Sequence, residues 1–250
     1  DKEKMTVDYV DFLCVHKNKR KMGIAPKTIY SHVYNQSTIQ NKPSIYLFKR
    51  EGATTLIVPI TKYGNYMFDT KYWKFHKKNI TNGAVINELN HSIKTILIND
   101  GNFAIFLDLF NEIKPFFECL IYPNVQNIKH LCKTGVLFIT VLLNNNVPKS
   151  FYVFRNNYTT YNGYKSVECL ASFSATTELS FNAGFINSLK IIHETKLKFR
   201  YLFMENISNN NYVIKNIMKR YNPLNIFNTS YYFYNLGHRP INSNKVFFIN

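Results

Sequence analysis

The sequence predicts an α+β fold in which helices flank a curved, mostly antiparallel β-sheet. Predicted strands and helices alternate irregularly along the chain, and polar turns that favour local hairpins separate some neighbouring strands. Hydrophobic residues make up 46% of the 250 residues and charged residues only 18%, which is enough apolar material for a packed core. We expect one large domain or two small ones.

The N-terminal segment predicts a strand, a basic loop and a helix, in that order. Residues 6–15 are rich in Val, Tyr, Phe and Leu, which is typical of a largely buried strand. A basic loop follows at residues 17–23. A helix is predicted from Ile24 to about Tyr34, because apolar residues recur at helical spacing and Pro26 is tolerated in a first helical turn.

The remaining elements follow from periodicity and from turn residues. Gly64 and Asn65 predict a turn, and Asn144, Asn145 and Asn146 predict a hairpin turn. Strands are predicted at residues 45–48, 54–60, 136–143, 150–154, 167–174, 199–204, 230–235 and 245–250. Helices are predicted at residues 84–89, 102–117, 183–194 and 213–221.

Composition argues against several classes of protein. The longest apolar run, at residues 136–143, is far shorter than the roughly 20 residues of a membrane-spanning helix. The first twenty residues are charged throughout and lack the apolar stretch of a secretory signal. The four cysteines form no C-x-x-C pair and no short Cys/His cluster, so we expect no metal site and a reducing, cytoplasmic location.

The chain is strongly basic, with 31 Lys+Arg against 15 Asp+Glu and a formal charge of +16. Basic residues cluster at residues 17–21 and at residues 71–78, where aromatic residues are interleaved with them. Either cluster could bind a polyanion, and the second is typical of a stacking platform for single strands. A solvated basic face is the more common explanation of such a run, and no nucleic-acid recognition motif accompanies the charge.

One loop predicts a site for a pyrophosphate group. Arg20, Gly23 and Ala25 fit the pattern R-x-x-G-x-A between a predicted strand and the start of a helix. Small residues there let a ligand approach the backbone, the first N–H groups of a helix lack partners, and the helix dipole favours negative charge. Transferases that use acyl-CoA hold the pyrophosphate of CoA in this way. Lys17 and Lys19 add Coulombic attraction.

Residues 10–17, VDFLCVHK, followed by the basic loop and by Ala25-Pro26, closely resemble the signature segment of the glycylpeptide N-tetradecanoyltransferase (N-myristoyltransferase) family. The resemblance continues in order and spacing through residues 70–73, 150–152, 203–206, 231–235 and 245–246. It covers nearly the whole chain and matches the carboxyl-terminal half to two-thirds of the family. The family's amino-terminal portion, which helps hold acyl-CoA, is not in this sequence.

The resemblance implies two acetyltransferase-like, GNAT-type halves on a saddle-shaped, mostly antiparallel sheet. Residues 1–80 would be the remainder of the first half, on the acyl-CoA side. Residues 81–250 would form the second, peptide-binding half with a closing C-terminal strand. The implied donor is myristoyl-CoA, used as a substrate rather than as a permanently bound cofactor, and the implied partners are proteins with an N-terminal glycine.

The resemblance also assigns roles to residues. The backbone N–H groups of Phe12 and Leu13 would form the oxyanion hole, and the main-chain carboxylate of Asn250 would deprotonate the attacking amine. The CoA-binding residues would be Leu13, Cys14, Val15, Lys17, Arg20, Lys21, Met22, Gly23, Ile24 and Ala25. The substrate-binding residues would be Tyr72, Ser150 and Asn206. Apart from the resemblance, the position of His16 next to the loop favours a role in orienting the loop or contacting CoA.

Several departures from the family pattern fall on the peptide side. Residues 57–60, residues 174–175 and Leu202 stand where the family has peptide-contacting residues, Lys74 stands where a His is usual, and the C-terminal tail is one residue shorter. Two alternatives to an active acyltransferase therefore stay open. One is a catalytically inactive relative that binds or has a structural role, and the other is a basic nucleic-acid-binding module.

Overall fold

A computed structural model describes residues 4–10, 13–40, 45–52, 57–73, 93–195 and 197–249. The strands are β1 (Asp8–Val10), β2 (Tyr46–Glu51), β3 (Thr61–Asp69), β4 (Ile93–Leu97), β5 (Cys119–Ile121), β6 (Leu137–Asn144), β7 (Val147–Tyr161), β8 (Tyr164–Ser174), β9 (Phe199–Glu205), β10 (Asn225–Tyr234) and β11 (Val246–Phe248). The helices are α1 (Ile24–Gln40), α2 (Phe103–Ile113), α3 (Val125–Lys133), α4 (Glu178–Glu194) and α5 (Asn210–Met218). None of the helices in the described ranges combines the length and apolarity that crossing a bilayer requires.

The chain divides into two compact units, one of residues 1–62 and 228–240 and one of residues 63–227 and 241–250. In the first unit, β1 pairs in parallel with β2, and β2 pairs antiparallel with residues 229–234 of β10. Its buried centre is small and largely aromatic, with Tyr46, Leu47, Tyr231 and Tyr232. Helix α1 has no fully buried side chain at residues 24–38, the part of the helix whose side chains are described.

The second unit has a larger sheet in the order β3-β9-β8-β7-β6-β4. Every neighbouring pair is antiparallel except β8 and β9, which run parallel. The long buried runs on β6 to β9 have apolar side chains on both faces of this sheet. Helices α4 and α5 contribute to one of its two cores, whereas α2 and the segment around β11 contribute to the other.

The parallel strands β8 and β9 separate beyond the Cys169–Met204 pair, and polar side chains fill the gap. Asn210 is fully buried, and its Nδ2 donates to the carbonyl oxygens of Glu205 and Leu170 at 2.8 and 3.2 Å. Its Oδ1 accepts from the Ser172 hydroxyl at 2.5 Å. These bonds satisfy backbone groups that the sheet ladder leaves unpaired, as buried polar groups require.

Most of the predicted elements are confirmed. The strand-loop-helix unit, the hairpin at residues 144–146, and the later order of strand, helix, strand, helix, strand are all present. The α+β class with a mostly antiparallel sheet is also confirmed. Helix α4 begins at Glu178, earlier than predicted, because Thr177 caps it by accepting from the Ser180 N–H at 3.3 Å.

Three predictions are wrong. Of the largely buried strand predicted at residues 6–15, the described residues form only the half-buried β1, and Leu13 is 43% exposed. Gly64 and Asn65 lie inside β3 rather than in a turn, and residues 57–60 carry no strand. A Cβ at Gly64 would lie 2.9 Å from the Tyr66 ring, so this glycine marks a close approach of a side chain.

Other differences concern elements that the pattern missed or placed too short. Helix α1 extends to Gln40 instead of ending near Tyr34. Strands β4 and β5 and helix α3 have no predicted counterpart. The helix predicted at residues 84–89 falls outside the described residues.

Candidate functional site

The basic loop of the first unit is organised by its own hydrogen bonds. His16 caps a short 3-10 helix, Lys17–Lys19, because its Nδ1 accepts from the Asn18 N–H at 3.3 Å and its carbonyl accepts from the Lys19 N–H at 2.8 Å. The Nε of Arg20 donates to the carbonyl oxygen of Val15 at 3.3 Å. His16 therefore orients the loop, one of the two roles expected for it.

The backbone then turns sharply into helix α1. Lys21 and Gly23 have φ values of 66° and 70°, in the left-handed region. A Cβ at Gly23 would meet nothing within 4 Å, so a glycine is favoured there by backbone conformation rather than by crowding. The left-handed residue at 21 carries a side chain and so adds local strain.

The first turn of α1 presents unpaired N–H groups. Within the described residues, the N–H groups of Ile24 and Ala25 have no hydrogen-bond acceptor. Pro26 has no N–H, and the Lys27 N–H donates to the Gly23 carbonyl oxygen. No acidic residue lies in this turn. The amides, the dipole of a 17-residue helix and the exposed Lys17, Arg20 and Lys21 together favour an anion.

The predicted CoA-binding residues thus lie in one accessible segment. Cys14, Lys17, Arg20, Lys21, Met22 and Gly23 are exposed, and Val15, Ile24 and Ala25 are half-buried. Leu13 is exposed and follows the last β1 pair, Val10–Phe48. Within the described part of the chain, the Leu13 N–H has no ladder partner. The second oxyanion-hole residue, Phe12, lies outside the described residues.

The C-terminal tail is held firmly in the second unit up to its penultimate residue. Strand β11 pairs in parallel with β5, and the Ile249 N–H donates to the Ile121 carbonyl oxygen at 2.8 Å. Phe247 and Ile249 are buried in the core that also contains α2. Asn250, the predicted base, lies outside the described residues.

The three predicted peptide-binding residues do not form one cluster. Ser150 lies on β7 opposite Ser174, and Asn206 follows β9, so both lie at the same end of the sheet. Tyr72 follows β3 at the opposite end, beyond the Asp69–Tyr201 pair. At about 3.3 Å per residue, roughly 20 Å separates Tyr72 from Asn206 along the ladder.

Burial also distinguishes these three residues. The Tyr72 side chain is 75% exposed, whereas Ser150 is fully buried and Asn206 is half-buried. In the described part of the chain, the Ser150 hydroxyl and the Asn206 Oδ1 have no hydrogen-bond partner. Both oxygens could therefore accept a hydrogen bond from a ligand. Of the three residues, only Tyr72 has a side chain that is exposed to solvent.

The departures from the family pattern have a structural explanation at two positions. Leu202 is fully buried in the core beneath α4, a place where an unpaired carboxylate would be costly. The N–H of Ser174 donates to the Asn209 Oδ1 at 3.0 Å, within the contacts that close the gap between β8 and β9. Leu202 is therefore inaccessible to a peptide, and the N–H of Ser174 is already engaged.

Other candidate groups for catalysis are weak. Burial raises the pKa of the Cys169 thiol well above its usual value and raises the pKa of Cys132 to about 12, so neither supplies a thiolate near neutral pH. Cys14 is exposed beside the basic loop. Among the described residues, no group of three His, Cys, Asp or Glu side chains is placed to hold a metal ion.

Sequence reasoning missed the ion pair between Asp69 and Arg200. Arg200 at the start of β9 forms a two-pronged ion pair with Asp69 at the end of β3, at 2.6 to 3.1 Å. The Arg200 guanidinium also lies 4.6 Å from the Tyr164 ring centroid. The two charges are 131 residues apart in sequence, so no local pattern reveals the pair.

Comparison with known proteins supports the fold. No protein-family model matches the chain, and no curated protein matches it significantly. Saccharomyces cerevisiae N-myristoyltransferase with bound myristoyl-CoA matches 94% of this chain in two crystal structures, with TM-scores of 0.65 and 0.66 and 12% and 13% identity. The chain spans 64% and 60% of those yeast chains.

A tandem GNAT protein from the clavulanic acid biosynthesis pathway, solved without AcCoA, is a further neighbour. It matches 92% of this chain and 76% of its own length, with a TM-score of 0.53 and 9% identity. At such low identity these likenesses describe the fold alone. They confirm the expected GNAT-like α+β class.

Proposed function

We propose that this chain is an acyltransferase that moves an acyl group from CoA to an amine, and specifically a tetradecanoyl group to an N-terminal glycine. The observation that carries the proposal is the strand, basic loop and helix of the first unit. There the segment VDFLCVHK leads into a loop of cations and a helix start with unpaired N–H groups. The GNAT-like fold, which the yeast enzyme shares, supports this assignment.

The loop would bind the donor through the CoA pyrophosphate. The N–H groups of Ile24 and Ala25 would face the phosphate oxygens, while Lys17, Arg20 and Lys21 supply positive charge. Acyl-CoA would enter and leave as a substrate, since it is consumed in every turnover. His16 would keep the loop in its binding conformation by capping the 3-10 helix.

The proposed reaction is direct attack of the acceptor amine on the thioester carbonyl carbon. The C–N bond forms, negative charge develops on the carbonyl oxygen, and the C–S bond then breaks to release the CoA thiolate. The N–H groups of Phe12 and Leu13 would stabilise the oxyanion, and one such donor is typically worth about 10²–10³ in rate.

The proton of the amine would pass to the main-chain carboxylate of Asn250. An α-amino group has a pKa of about 7.7 to 8.0, so part of it is already neutral near pH 7 and a weak base suffices. The buried Phe247 and Ile249 would hold this carboxylate in place. Because position matters to about 1 Å, a variant that displaces this carboxylate tests the idea.

Tyr72, Ser150 and Asn206 remain the proposed acceptor contacts. Tyr72 lies at the other end of the sheet from Ser150 and Asn206. One acceptor could reach all three only as an extended peptide of about six residues or more, since each extended residue spans about 3.3 Å. We propose a cytoplasmic protein with an unfolded N-terminus as the acceptor.

A catalytically inactive relative that binds acyl-CoA is the second candidate function. It is favoured by two positions where the family contacts the peptide, because Leu202 is buried in the core and the N–H of Ser174 donates to Asn209. On this alternative the first unit would still bind the donor. Binding and transfer must therefore be measured separately.

Calorimetric titration with myristoyl-CoA tests the donor site. We expect the Arg20→Ala, Lys21→Ala pair to weaken binding by about tenfold or more, as loss of charge-assisted hydrogen bonds implies. The matched control is Lys133→Ala, Lys219→Ala, which removes two exposed lysines of the second unit and should leave the affinity unchanged. Absence of binding, or equal binding by the Arg20/Lys21 pair, would overturn the donor site.

Transfer is then measured with a peptide that begins with glycine and with the same peptide acetylated at its N-terminus. An active enzyme acylates only the free amine. A C-terminally extended variant, which moves the carboxylate away from Asn250, should then be strongly impaired in transfer but not in donor binding. Donor binding without transfer to either peptide would favour the inactive relative.

A further inference from the structure

Cations and tyrosines gather at one end of the sheet of the second unit. They are Lys71, Tyr72, Tyr161, Tyr164, Lys165 and Arg200, and we call them the tyrosine surface. The C-terminal ends of β3 and β7 and the N-terminal ends of β8 and β9 meet here. Lys71 and Tyr72 begin the basic and aromatic cluster that the sequence singled out at residues 71–78.

Arg200 is fixed at the centre of this surface. Its Nη2 donates to the Asp69 Oδ2 at 2.6 Å and its Nε to the Asp69 Oδ1 at 3.0 Å. Its guanidinium carbon lies 4.6 Å from the Tyr164 ring centroid and 5.4 Å from that of Tyr201, which is buried. The guanidinium and the phenol rings therefore hold one another in place.

The outer rings are well supported yet accessible. Tyr161 and Tyr164 are cross-strand partners, 38% and 49% exposed, and the Tyr161 ring packs 5.3 Å from Phe203. Lys71 links Tyr72 to the same surface, because its N–H donates to Asp69 at 2.9 Å and its Nζ lies 5.1 Å from the Tyr72 ring. Rings anchored from below in this way offer stacking faces at little entropic cost.

Charge at this surface is positive. Lys71, Lys165 and the neighbouring Lys198 are exposed, and Asp69 is engaged by Arg200. The whole chain carries +16. A polyanion is therefore attracted here.

We propose that the tyrosine surface binds single-stranded nucleic acid, with bases stacked on Tyr161 and Tyr164 and phosphates near Lys71, Lys165 and Lys198. Stacking on aromatic rings beside a line of cations is the general mode of single-strand recognition. The defined surface carries no aliphatic or Trp side chain to insert into a lipid bilayer. The Nε and Nη2 of Arg200 already donate to Asp69, so part of its guanidinium is not available to an isolated phosphate group.

Tyr72 is also a proposed acceptor contact, so the variants below leave it unchanged. The inference does not depend on acyl transfer, since the loop that would bind CoA lies in the first unit. The test is fluorescence anisotropy of the full chain with labelled oligonucleotides of about 12 nucleotides, a length within the usual site size. Poly-dT and poly-U strands are compared with a duplex of equal length. We expect single strands to bind tighter than the duplex.

The decisive variant is Tyr161→Ala, Tyr164→Ala. We expect it to weaken single-strand binding by about tenfold or more. The matched control, Tyr30→Ala, Tyr34→Ala, removes two exposed and mutually stacked tyrosines of the first unit and should leave affinity within about twofold. Lys165→Ala, Lys198→Ala should lower the slope of log affinity against log salt by about 1.4, at roughly 0.7 per lost phosphate contact.

A conservative variant separates stacking from folding. Tyr161→Phe, Tyr164→Phe keeps the rings and should bind single strands like the wild type, with an unchanged thermal melt. Equal affinity for the duplex, or loss of binding in the Phe pair, would overturn the proposal. So would co-sedimentation with phosphatidylserine vesicles that the Tyr161→Ala, Tyr164→Ala pair abolishes while oligonucleotide binding persists.

Discussion

At the scale of single residues, an ion pair between Asp69 and Arg200 joins two strands of the second unit. Their side chains are only 22% and 26% exposed, and three hydrogen bonds join them. The Arg200 hydrogen bonds hold the pKa of the Asp69 carboxyl below its usual value, despite partial burial. The pair links the end of β3 to the start of β9.

We predict that Asp69→Asn lowers the melting temperature at pH 7 by about 2 to 4 °C. A carboxyl whose pKa is lowered by folding stabilises the protein above its unfolded pKa of about 3.9. That contribution is lost as the pH falls through the lower, folded pKa. Thermal melts from pH 7 to pH 3 should therefore show the difference between variant and wild type shrinking toward the acid end.

The control for this prediction is Asp100→Asn. Asp100 pairs with Lys129 at 3.7 Å, and their side chains are 56% and 41% exposed. Such a pair contributes little, so its removal should leave the melt almost unchanged at every pH. An Asp69→Asn deficit that persists undiminished at pH 3 would show that the side chain acts by packing instead of charge.

Individual residues of the candidate site were predictable where a short motif determines the backbone conformation and its free N–H groups. Arg20, Gly23 and Ala25 mark the turn into α1, and the structure places a left-handed glycine and unpaired N–H groups there. The exposure of Leu13 was not predictable, because an apolar residue after a strand looks the same whether the strand continues or ends. The buried position of Leu202 likewise depends on distant packing.

At the scale of elements, the fit of α4 against the sheet depends on one glycine. A Cβ at Gly184 would lie 2.6 Å from the Tyr152 hydroxyl oxygen and 3.0 Å from Cδ1 of Leu142. Tyr152 is fully buried, and its hydroxyl donates to the Phe181 carbonyl oxygen at 2.5 Å. The Gly184 carbonyl accepts from the Ser188 hydroxyl at 2.7 Å, which ties the next helical turn to the same region.

We predict that Gly184→Ala lowers the free energy of unfolding by about 1 to 3 kcal/mol, because the added methyl group overpacks the interface. This loss outweighs the roughly 1 kcal/mol by which alanine favours a helix over glycine. Chemical denaturation of the purified variant measures it. In a Tyr152→Phe background the cost should shrink, since the nearest atom is gone, and an undiminished cost would contradict this explanation.

Element types were predicted best where an apolar run and its flanking turn residues indicate the same element. The apolar run at β6, the three asparagines after it and the apolar start of β7 describe a hairpin completely, because each signal is local. β3 was misplaced because Gly64 and Asn65 are turn residues by local preference, while the sheet requires a residue without a side chain beside Tyr66. Strands β4 and β5 were missed because they are short and half-buried.

At the scale of the whole molecule, the two units differ in how many of their described side chains are fully buried. In the second unit, long runs of β6 to β9 are fully buried, and these strands support both cores. In the first unit, the 17 residues of α1 have no fully buried side chain among those described, and Tyr30 and Tyr34 are 72% and 60% exposed. A helix with so little tertiary packing has little to stabilise it beyond its own hydrogen bonds.

We therefore predict that backbone amides of α1 exchange with deuterium at least about 100-fold faster than those of β7 and β8, because local opening costs less where few side chains are buried. If the loop before α1 holds acyl-CoA, saturating myristoyl-CoA should slow exchange at residues 13–27 and leave β7 and β8 unchanged. Mass-spectrometric exchange with and without ligand measures both effects. Equal exchange in α1 and β7 would mean that burial does not set local stability here, whereas protection confined to the second unit would place the ligand away from the basic loop.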